Sequence, residues 1–283
     1  MTVFEAYNNT KKELFAAGID DYVFEAKQII KHITGYSNQE VLMHYASHLT
    51  QYQQNNLTAL IKQRIVRYPL QYIFGEWDFY GCTFKVGPGV LVPRADTETL
   101  VEKAVEFLKE RENAKALDLC SGSGCVGIAI AKQLPDADVV LLEKYDEAMR
   151  YLEKNITLNK AENVTAVKGD IFNGDAADGR YDIIVSNPPY IPSDEMETIS
   201  PETHFEPENA LFGGEDGMMF YRAITADYKK SLKDGGMLAF EVGMGESDSV
   251  EKIMSENGFE NIGTVCDLNG IKRVVFGTAN NIK

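Results

Sequence analysis

Residues 117–129 read LDLCSGSGCVGIA. The apolar residues pause after Leu119, and Gly122, Gly124 and Gly127 then fall in the spacing G-x-G-x-x-G. Glycine lets a backbone turn tightly and lets a ligand approach the main chain closely. Alone the spacing is a weak signal. Its position between a predicted strand, KALDL, and a predicted helix, GCVGIAIAKQL, strengthens it. So does Glu143, at the end of the next predicted strand, DVVLLE, sixteen residues after Gly127. A carboxylate there can accept hydrogen bonds from both hydroxyls of a ribose. The competing reading is a tight strand-to-helix turn with a surface glutamate.

The alternation continues to the end of the chain. DEAMRYLEKNITLN reads as a helix, NVTAVKG and YDIIVSN as strands, MMFYRAITADYKKSL as a helix, GGMLAFEVG as a strand and SDSVEKIMSENG as a helix. NIGTVCDL and IKRVVFGT close the chain as an antiparallel pair, which makes seven strands in all. This predicts an α/β fold, a doubly wound Rossmann-like sheet with helices on both faces. Residues 1–73 differ. Segments such as VFEAYNNTKKELFAAGI and NNLTALIKQRIVRY carry apolar residues near helical spacing, punctuated by Gly18, Gly35 and Pro69. Residues 74–92, rich in aromatics, Val and Gly, read as a β-hairpin linker. The expected organisation is a small helical domain over 1–73, the linker over 74–92, and the sheet domain over 93–283.

The 283 residues suffice for a sizeable core, and a hydrophobic fraction of 44% is ordinary for a globular protein. The opening MTVFEAYNNTKKEL has no apolar h-region and no apolar run approaches membrane length, so a cytoplasmic protein without membrane contact is expected. Cys82, Cys120, Cys125 and Cys266 form no Cys-x-x-Cys pair, which points to reduced thiols and no metal. A net charge of −15 repels nucleic acid backbones. Lys62, Arg64 and Arg67 are the best basic cluster, and they read as a solvated helix face. A protein partner or a small-molecule substrate is the better expectation, and a monomer the default state.

Two ligands suit the glycine loop, a dinucleotide and S-adenosylmethionine. Asp118 favours the second, because an acid beside the loop suits a cationic amino-acid tail and repels a pyrophosphate. Asp170, in KGDIF, can take an adenine amino group with Ile171 or Phe172 against the ring. It can equally be a turn or helix cap.

The predicted strand YDIIVSN runs into NPPYIP, residues 187–192. Ligands in this fold bind at the carboxyl ends of strands, so Asn187 faces the crevice of the glycine loop. Pro189 restrains Pro188, which aims the Pro188 carbonyl in a fixed direction. The Asn187 side-chain oxygen is a second acceptor. Two fixed acceptors suit a substrate –NH2 whose lone pair is delocalised. They orient the nitrogen toward a methyl donor and stabilise the positive charge that develops. The Tyr190 ring can pack against a planar amide or base. A proline-rich turn after a buried strand is the plainer alternative.

With these motifs in order, the chain resembles the protein-(glutamine-N5) methyltransferases that modify peptide chain release factors. VLVPRADTETLVE matches the Pro-Arg-x-x-Thr-Glu signature of that family, and RYPLQYIFGEWDFYG, ENALFGGEDGMMFYR, LAFEVG and DLNGIKRVVFG follow its pattern. The resemblance implies S-adenosyl-L-methionine as cofactor, S-adenosylhomocysteine as product, and the glutamine of a release factor's Gly-Gly-Gln loop as substrate. It implies a cofactor site of Asp118, Ser121, Gly122, Gly124, Glu143, Asp170, Ile171 and Asn187. Asn187, Pro188, Pro189 and Tyr190 are the expected substrate site, with Asn187, Pro188 and Tyr190 carrying the chemistry. Arg94 is expected beside them or in an ion pair, with Thr97 and Glu98 in support. The helical domain is expected to grip the release factor. Two departures stand out: Glu143 where the family usually has Asp, and Glu246 where it often has Gln. NPPY is shared with adenine-N6 methyltransferases acting on DNA or RNA, which are the alternative. A non-catalytic cofactor-binding scaffold is a further option, and an NAD enzyme leaves NPPY unexplained.

Overall fold

The computed structural model describes residues 1–176 and 178–280. The chain divides into two compact units, one of residues 1–75 with 200–205, the other of 76–199 with 206 onward.

The first unit is helical: α1 Val3–Ala16, α2 Tyr22–Thr34, α3 Asn38–Met43, α4 Gln51–Ile65 and α5 Leu70–Phe74. Thr2 with Glu5, Ser37 with Glu40 and Thr50 with Gln53 form capping boxes that satisfy the first N–H groups of α1, α3 and α4. Gly35 and Gly75 adopt the left-handed conformation that ends α2 and α5. Leu14, Ile29, Ile30, Val41 and Leu57 fill the core of this unit. Helices α3 and α5 are too short to show a period, and the sequence does not reveal them.

The solvated basic face expected of Lys62, Arg64 and Arg67 needs correction. Arg64 is 4% exposed. Its guanidinium forks onto Glu25, at 2.6 and 2.9 Å, and also reaches Glu202 at 2.9 Å. Arg67 joins the same Glu202 at 3.0 Å. A buried cation needs such partners. They come from positions 39 and 138 residues away, which local spacing cannot show. Glu202 belongs to the short segment 200–205 that this unit takes in.

The second unit begins with the hairpin β1 Glu76–Phe79 and β2 Cys82–Lys85. Tyr80 and Gly81 both have positive φ, +47° and +74°, as a two-residue type I′ turn requires. Then follow α6 Glu98–Leu108, β3 Lys115–Leu119, α7 Cys125–Gln133, β4 Asp138–Glu143, α8 Asp146–Asn159, β5 Val164–Lys168 and β6 Tyr181–Ser186. Helix α9 Met219–Tyr228, β7 Leu232–Glu241, α10 Ser247–Glu256, β8 Phe259–Cys266 and β9 Lys272–Ala279 complete it. The seven predicted strands make one sheet in the order β5-β4-β3-β6-β7-β9-β8. From β5 to β7 the pairs are parallel, and β9 is antiparallel to both β7 and β8. Central β6 is buried at every position, as a strand covered on both faces must be. Helix α6, which the sequence reading does not place, buries Leu100, Val101, Ala104 and Leu108.

The chain runs from β3 outward through β4 to β5, then returns to β6 on the other side of β3. This reversal opens a crevice at the carboxyl ends of β3 and β6, where open α/β sheets bind ligands.

Candidate active site

Leu119 and Ser186 are register partners, and Ser186 Oγ donates to the Leu119 carbonyl at 2.7 Å. Cys120 and Asn187 therefore leave neighbouring strands side by side. A cavity opens there. Asp118, Ser121, Gly122, Glu143, Asp170, Ile171 and Asn187 line it, as do Arg94, Thr97 and Pro189. Gly124, Pro188, Tyr190 and Glu98 are not among its lining residues.

The loop after β3 is held by alternating left-handed residues: Cys120 at φ +60°, Gly122 at +54° and Gly124 at +80°. Cys120 is a non-glycine residue in a conformation that costs on the order of 1–3 kcal/mol, and nothing in its sequence context announces it. The loop's N–H groups are largely committed. Ser121 N–H donates to the Leu142 carbonyl at 3.1 Å, Gly124 N–H to the Ser121 carbonyl at 2.8 Å, and Gly122 N–H to Glu143 Oε2 at 2.8 Å. At the N-terminus of α7, Gly127 N–H donates to Asp118 Oδ2 at 3.0 Å. The place where a dinucleotide fold would receive phosphate already holds a carboxylate. Burial pushes Asp118 up to about 7, with Glu143 adding repulsion against its hydrogen bonds from Gly127 and Ser121. A cation at this end would relieve that cost. Gly127 is required because a Cβ would sit 2.7 Å from Leu141 Cδ1 and 3.0 Å from Asp118 Oδ2.

Glu143 is buried at the end of β4. Burial raises its pKa against three backbone donors. Its Oε1 accepts from Lys144 N–H at 2.8 Å and Tyr145 N–H at 2.7 Å, while Oε2 takes Gly122. A carboxylate has about four acceptor positions, so one remains for a ligand hydroxyl. Asp170 does serve as a cap, accepting from Phe172 N–H at 3.0 Å, and Lys144 Nζ pairs with it at 2.8 Å. Burial opposes ionisation there, and these two bonds outweigh it and hold the pKa low. Buried Ile171 lines the cavity beside Phe172, whose ring lies 5.3 Å from that of Phe220.

Asn187 is half-buried, and its Nδ2 donates to Thr97 Oγ1 at 3.3 Å. Among the described residues no group donates to Asn187 Oδ1 or to the Pro188 carbonyl. Tyr190 packs on the core between the glycines that follow: a Cβ on Gly213 or Gly217 would meet its backbone, and one on Gly243 its ring. Burial, then the charge of Glu241, pushes the phenol up to about 12. Arg94 forms an ion pair with buried Glu206, which also accepts from Val92 N–H at 2.9 Å. Glu98 takes the N–H of Tyr80 at 2.8 Å, tying the hairpin turn to α6.

Sequence reasoning missed two supports: Glu206 and Asn155. Asn155 on α8 is fully buried. It accepts from Lys85 N–H at 2.6 Å and donates to Lys85 O at 3.1 Å and Ser123 O at 2.9 Å. It thus pins the glycine loop to the hairpin. The one available signal was a polar residue at the apolar spacing of Ala148 and Leu152. Among the described residues, no group of three or more His, Cys, Asp or Glu is placed to hold a metal ion. Nor is any helix among them long and apolar enough to cross a membrane.

Residues 94–205 match a methyltransferase small domain, and residues 5–75 match a PrmC N-terminal domain. A release factor glutamine methyltransferase of Geobacter sulfurreducens is 37% identical over 98% of this chain and 96% of its own. One from Thermodesulfovibrio yellowstonii is 39% identical over 89% of this chain and 90% of its own. One from Fusobacterium nucleatum is 37% identical over 96% of this chain and 77% of its own. Among solved structures, a methyltransferase from Pyrococcus furiosus superposes with a TM-score of 0.53 at 19% identity, covering 82% of this chain and all of that one (100%). The hMettl16 catalytic domain, solved with a 3′UTR hairpin, gives 0.57 at 12% identity over 83% of this chain and 84% of its own. Likeness at such low identity speaks for the fold alone.

Proposed function

The chain belongs to the release factor glutamine methyltransferase family, and we propose that it methylates the side-chain amide nitrogen, N5, of the glutamine in the Gly-Gly-Gln loop of a peptide chain release factor. The methyl donor is S-adenosylmethionine, and S-adenosylhomocysteine is the product. One observation carries the reading. Asn187 Oδ1 and the Pro188 carbonyl are two acceptors without partners among the described residues, at the end of the strand beside the glycine loop.

The residues fit the cofactor. Asp118, buried and pushed up to about 7 by that burial, would receive its cationic amino end. Glu143 would use its remaining acceptor position for a ribose hydroxyl, and Ile171 would pack on the adenine. When bound, the cofactor supplies an electrophilic methyl on a sulfonium. The protein's task is to present the nucleophile. An amide nitrogen is weakly nucleophilic because its lone pair is delocalised into the carbonyl. Asn187 Oδ1 and the Pro188 carbonyl would accept its two hydrogens, fix the nitrogen, and stabilise the positive charge that grows as it bonds to carbon. The nitrogen then sheds a proton made acidic by that charge. Tyr190 would flank the planar amide, and Arg94 would sit at the edge of the substrate site. The helical unit exposes Phe4, Phe15, Phe24 and Met43, side chains that a protein partner would cover. It would supply the grip on the release factor.

The test is methyl transfer from labelled S-adenosylmethionine to purified release factor and to its loop Gln→Ala variant, with DNA and RNA in parallel. Label is expected on the wild-type factor alone, and Asn187→Ala lowers kcat about 100- to 1,000-fold. Label on nucleic acid would overturn the substrate, and label on nothing would overturn the activity.

A further inference from the structure

Among the described residues that line the cavity, Arg94 and Lys144 are the cations, against three carboxylates, Asp118, Glu143 and Asp170. Lys144 follows β4 and is spent on Asp170 at 2.8 Å. Arg94 belongs to another wall, the segment 89–97. Val90 in that segment faces the glycine loop, since a Cβ on Gly122 would come within 3.9 Å of Val90 Cγ2. At the segment's other end Thr97 Oγ1 lies 3.3 Å from Asn187 Nδ2. Arg94 falls in the chain between these two points and itself lines the cavity.

The Arg94 side chain is anchored on one side and open on the other. Glu206, 2% exposed, pairs with it and accepts from Val92 N–H at 2.9 Å, so the carboxylate holds both the guanidinium and its own stretch of backbone. A guanidinium carries five N–H donors. One goes to Glu206, and among the described residues no other acceptor takes the rest. The side chain is 40% exposed. The wall thus presents a fixed cation, with donors unspent, to a cavity whose other unpaired charges are negative.

The amino-acid end of S-adenosylmethionine carries two charges, an α-ammonium and an α-carboxylate. Asp118 suits the first. The second needs a cation, because the acids that line the cavity would repel it and an unpaired carboxylate is costly to take out of water. The sheet places the two ends of the ligand. Asp170, Glu143, Asp118 and Asn187 lie at or beside the carboxyl ends of β5, β4, β3 and β6, which are neighbours in that order. With adenine at Ile171 and ribose at Glu143, the amino-acid end comes to β3 and β6, where the wall of Arg94 meets Asn187. We propose that Arg94 binds the α-carboxylate of the cofactor and so makes the site selective for the complete amino-acid tail. This rests on the cofactor reading above, and it gives the arginine at the edge of the substrate site a ligand. A planar fork can meet a carboxylate with two parallel N–H bonds while another edge stays on Glu206, which a lysine cannot do.

The experiment is calorimetric titration of the full chain with S-adenosylhomocysteine and with its decarboxylated analogue, for the wild type, Arg94→Met and Arg94→Lys. The wild type is expected to bind S-adenosylhomocysteine about 10- to 100-fold more tightly than the analogue, the worth of hydrogen bonds to a charged group. Arg94→Met should bind the two ligands alike, with the affinity that the wild type has for the analogue. Arg94→Lys, which keeps a cation for buried Glu206, should lose part of the discrimination and stay folded. Equal affinity of the wild type for both ligands would overturn the proposal without any variant. Equal weakening of both ligands in Arg94→Met would overturn it in favour of a purely structural role. Unchanged S-adenosylhomocysteine affinity in Arg94→Met, with a raised KM for release factor, would overturn it and return Arg94 to the protein substrate. Binding of neither ligand by the wild type would refute the cofactor reading itself.

Discussion

Asp118 condenses the logic of the proposed cofactor site into one side chain. It is buried under the first turn of α7, it holds Gly127 N–H, and burial leaves its carboxyl at about 7. Asp118→Asn keeps an acceptor for Gly127 and removes the charge. Affinity for S-adenosylmethionine is expected to fall about 10- to 100-fold, the worth of a hydrogen bond to a charged group. The melting temperature at pH 8 should be no lower than that of the wild type, because an ionised carboxylate no longer has to be buried. Calorimetric titration and thermal unfolding check both halves, and an unchanged affinity would remove Asp118 from the site. This residue was legible in the sequence because strand, glycine loop and acid are neighbours in the chain. Asn187 was legible for the same reason. Thr97 was visible as part of a signature, but its bond to Asn187 spans 90 positions. Glu241 was visible as the end of a strand, and only burial reveals that it lacks solvent.

Strands and helices of the sheet announce themselves by period, and their alternation gives the parallel arrangement. Their mutual fastening is less visible. Helix α6 has a buried stripe at helical spacing, Leu100, Val101, Ala104 and Leu108, yet it opens at Glu98, the last residue of the Pro-Arg-x-x-Thr-Glu signature, and reads as a motif. The hairpin was legible from its aromatics and turn glycine, whereas its anchor was not. That anchor is Asn155, which reaches 70 residues back to Lys85 and 32 residues back to Ser123. Asn155→Ala would leave one N–H and two carbonyls without partners. A loss of about 2–4 kcal/mol is expected, since each unsatisfied buried group costs about 1–3 kcal/mol. Because Ser123 belongs to the glycine loop, cofactor affinity should fall with it. Urea unfolding followed by the single tryptophan, Trp77 on β1, reports on this hairpin directly. A variant as stable as the wild type would show that water satisfies those groups.

The molecule as a whole keeps an excess of negative charge, −15, and buries part of it. Burial pushes Asp118, Glu241 and Glu246 each up to about 7. In the unfolded chain such groups titrate near 4. Between those limits the folded state binds more protons than the unfolded one, so stability falls as pH rises. Exposed pairs work in a lower window. Asp216, held down to about 2 chiefly by its hydrogen bond to Arg222, contributes stability that is present above its ordinary range and lost only as pH falls toward 2. The melting temperature of the sheet unit, read from Trp77, is therefore expected to decline from pH 5 to pH 8. General charge repulsion acts in the same direction, and Glu246 separates the two. Its Oε2 accepts from Gly243 N–H at 2.9 Å and from the Tyr221 hydroxyl at 3.4 Å. The carbonyl of a glutamine can accept both, and Gln is what the family often carries there. Glu246→Gln should raise stability at pH 8 by about 1–2 kcal/mol after allowance for solvent screening. It should change little at pH 5, where the native glutamate is already protonated. An equal gain at both pH values would assign the effect to packing, and no gain at pH 8 would mean that the ionised carboxylate remains well solvated.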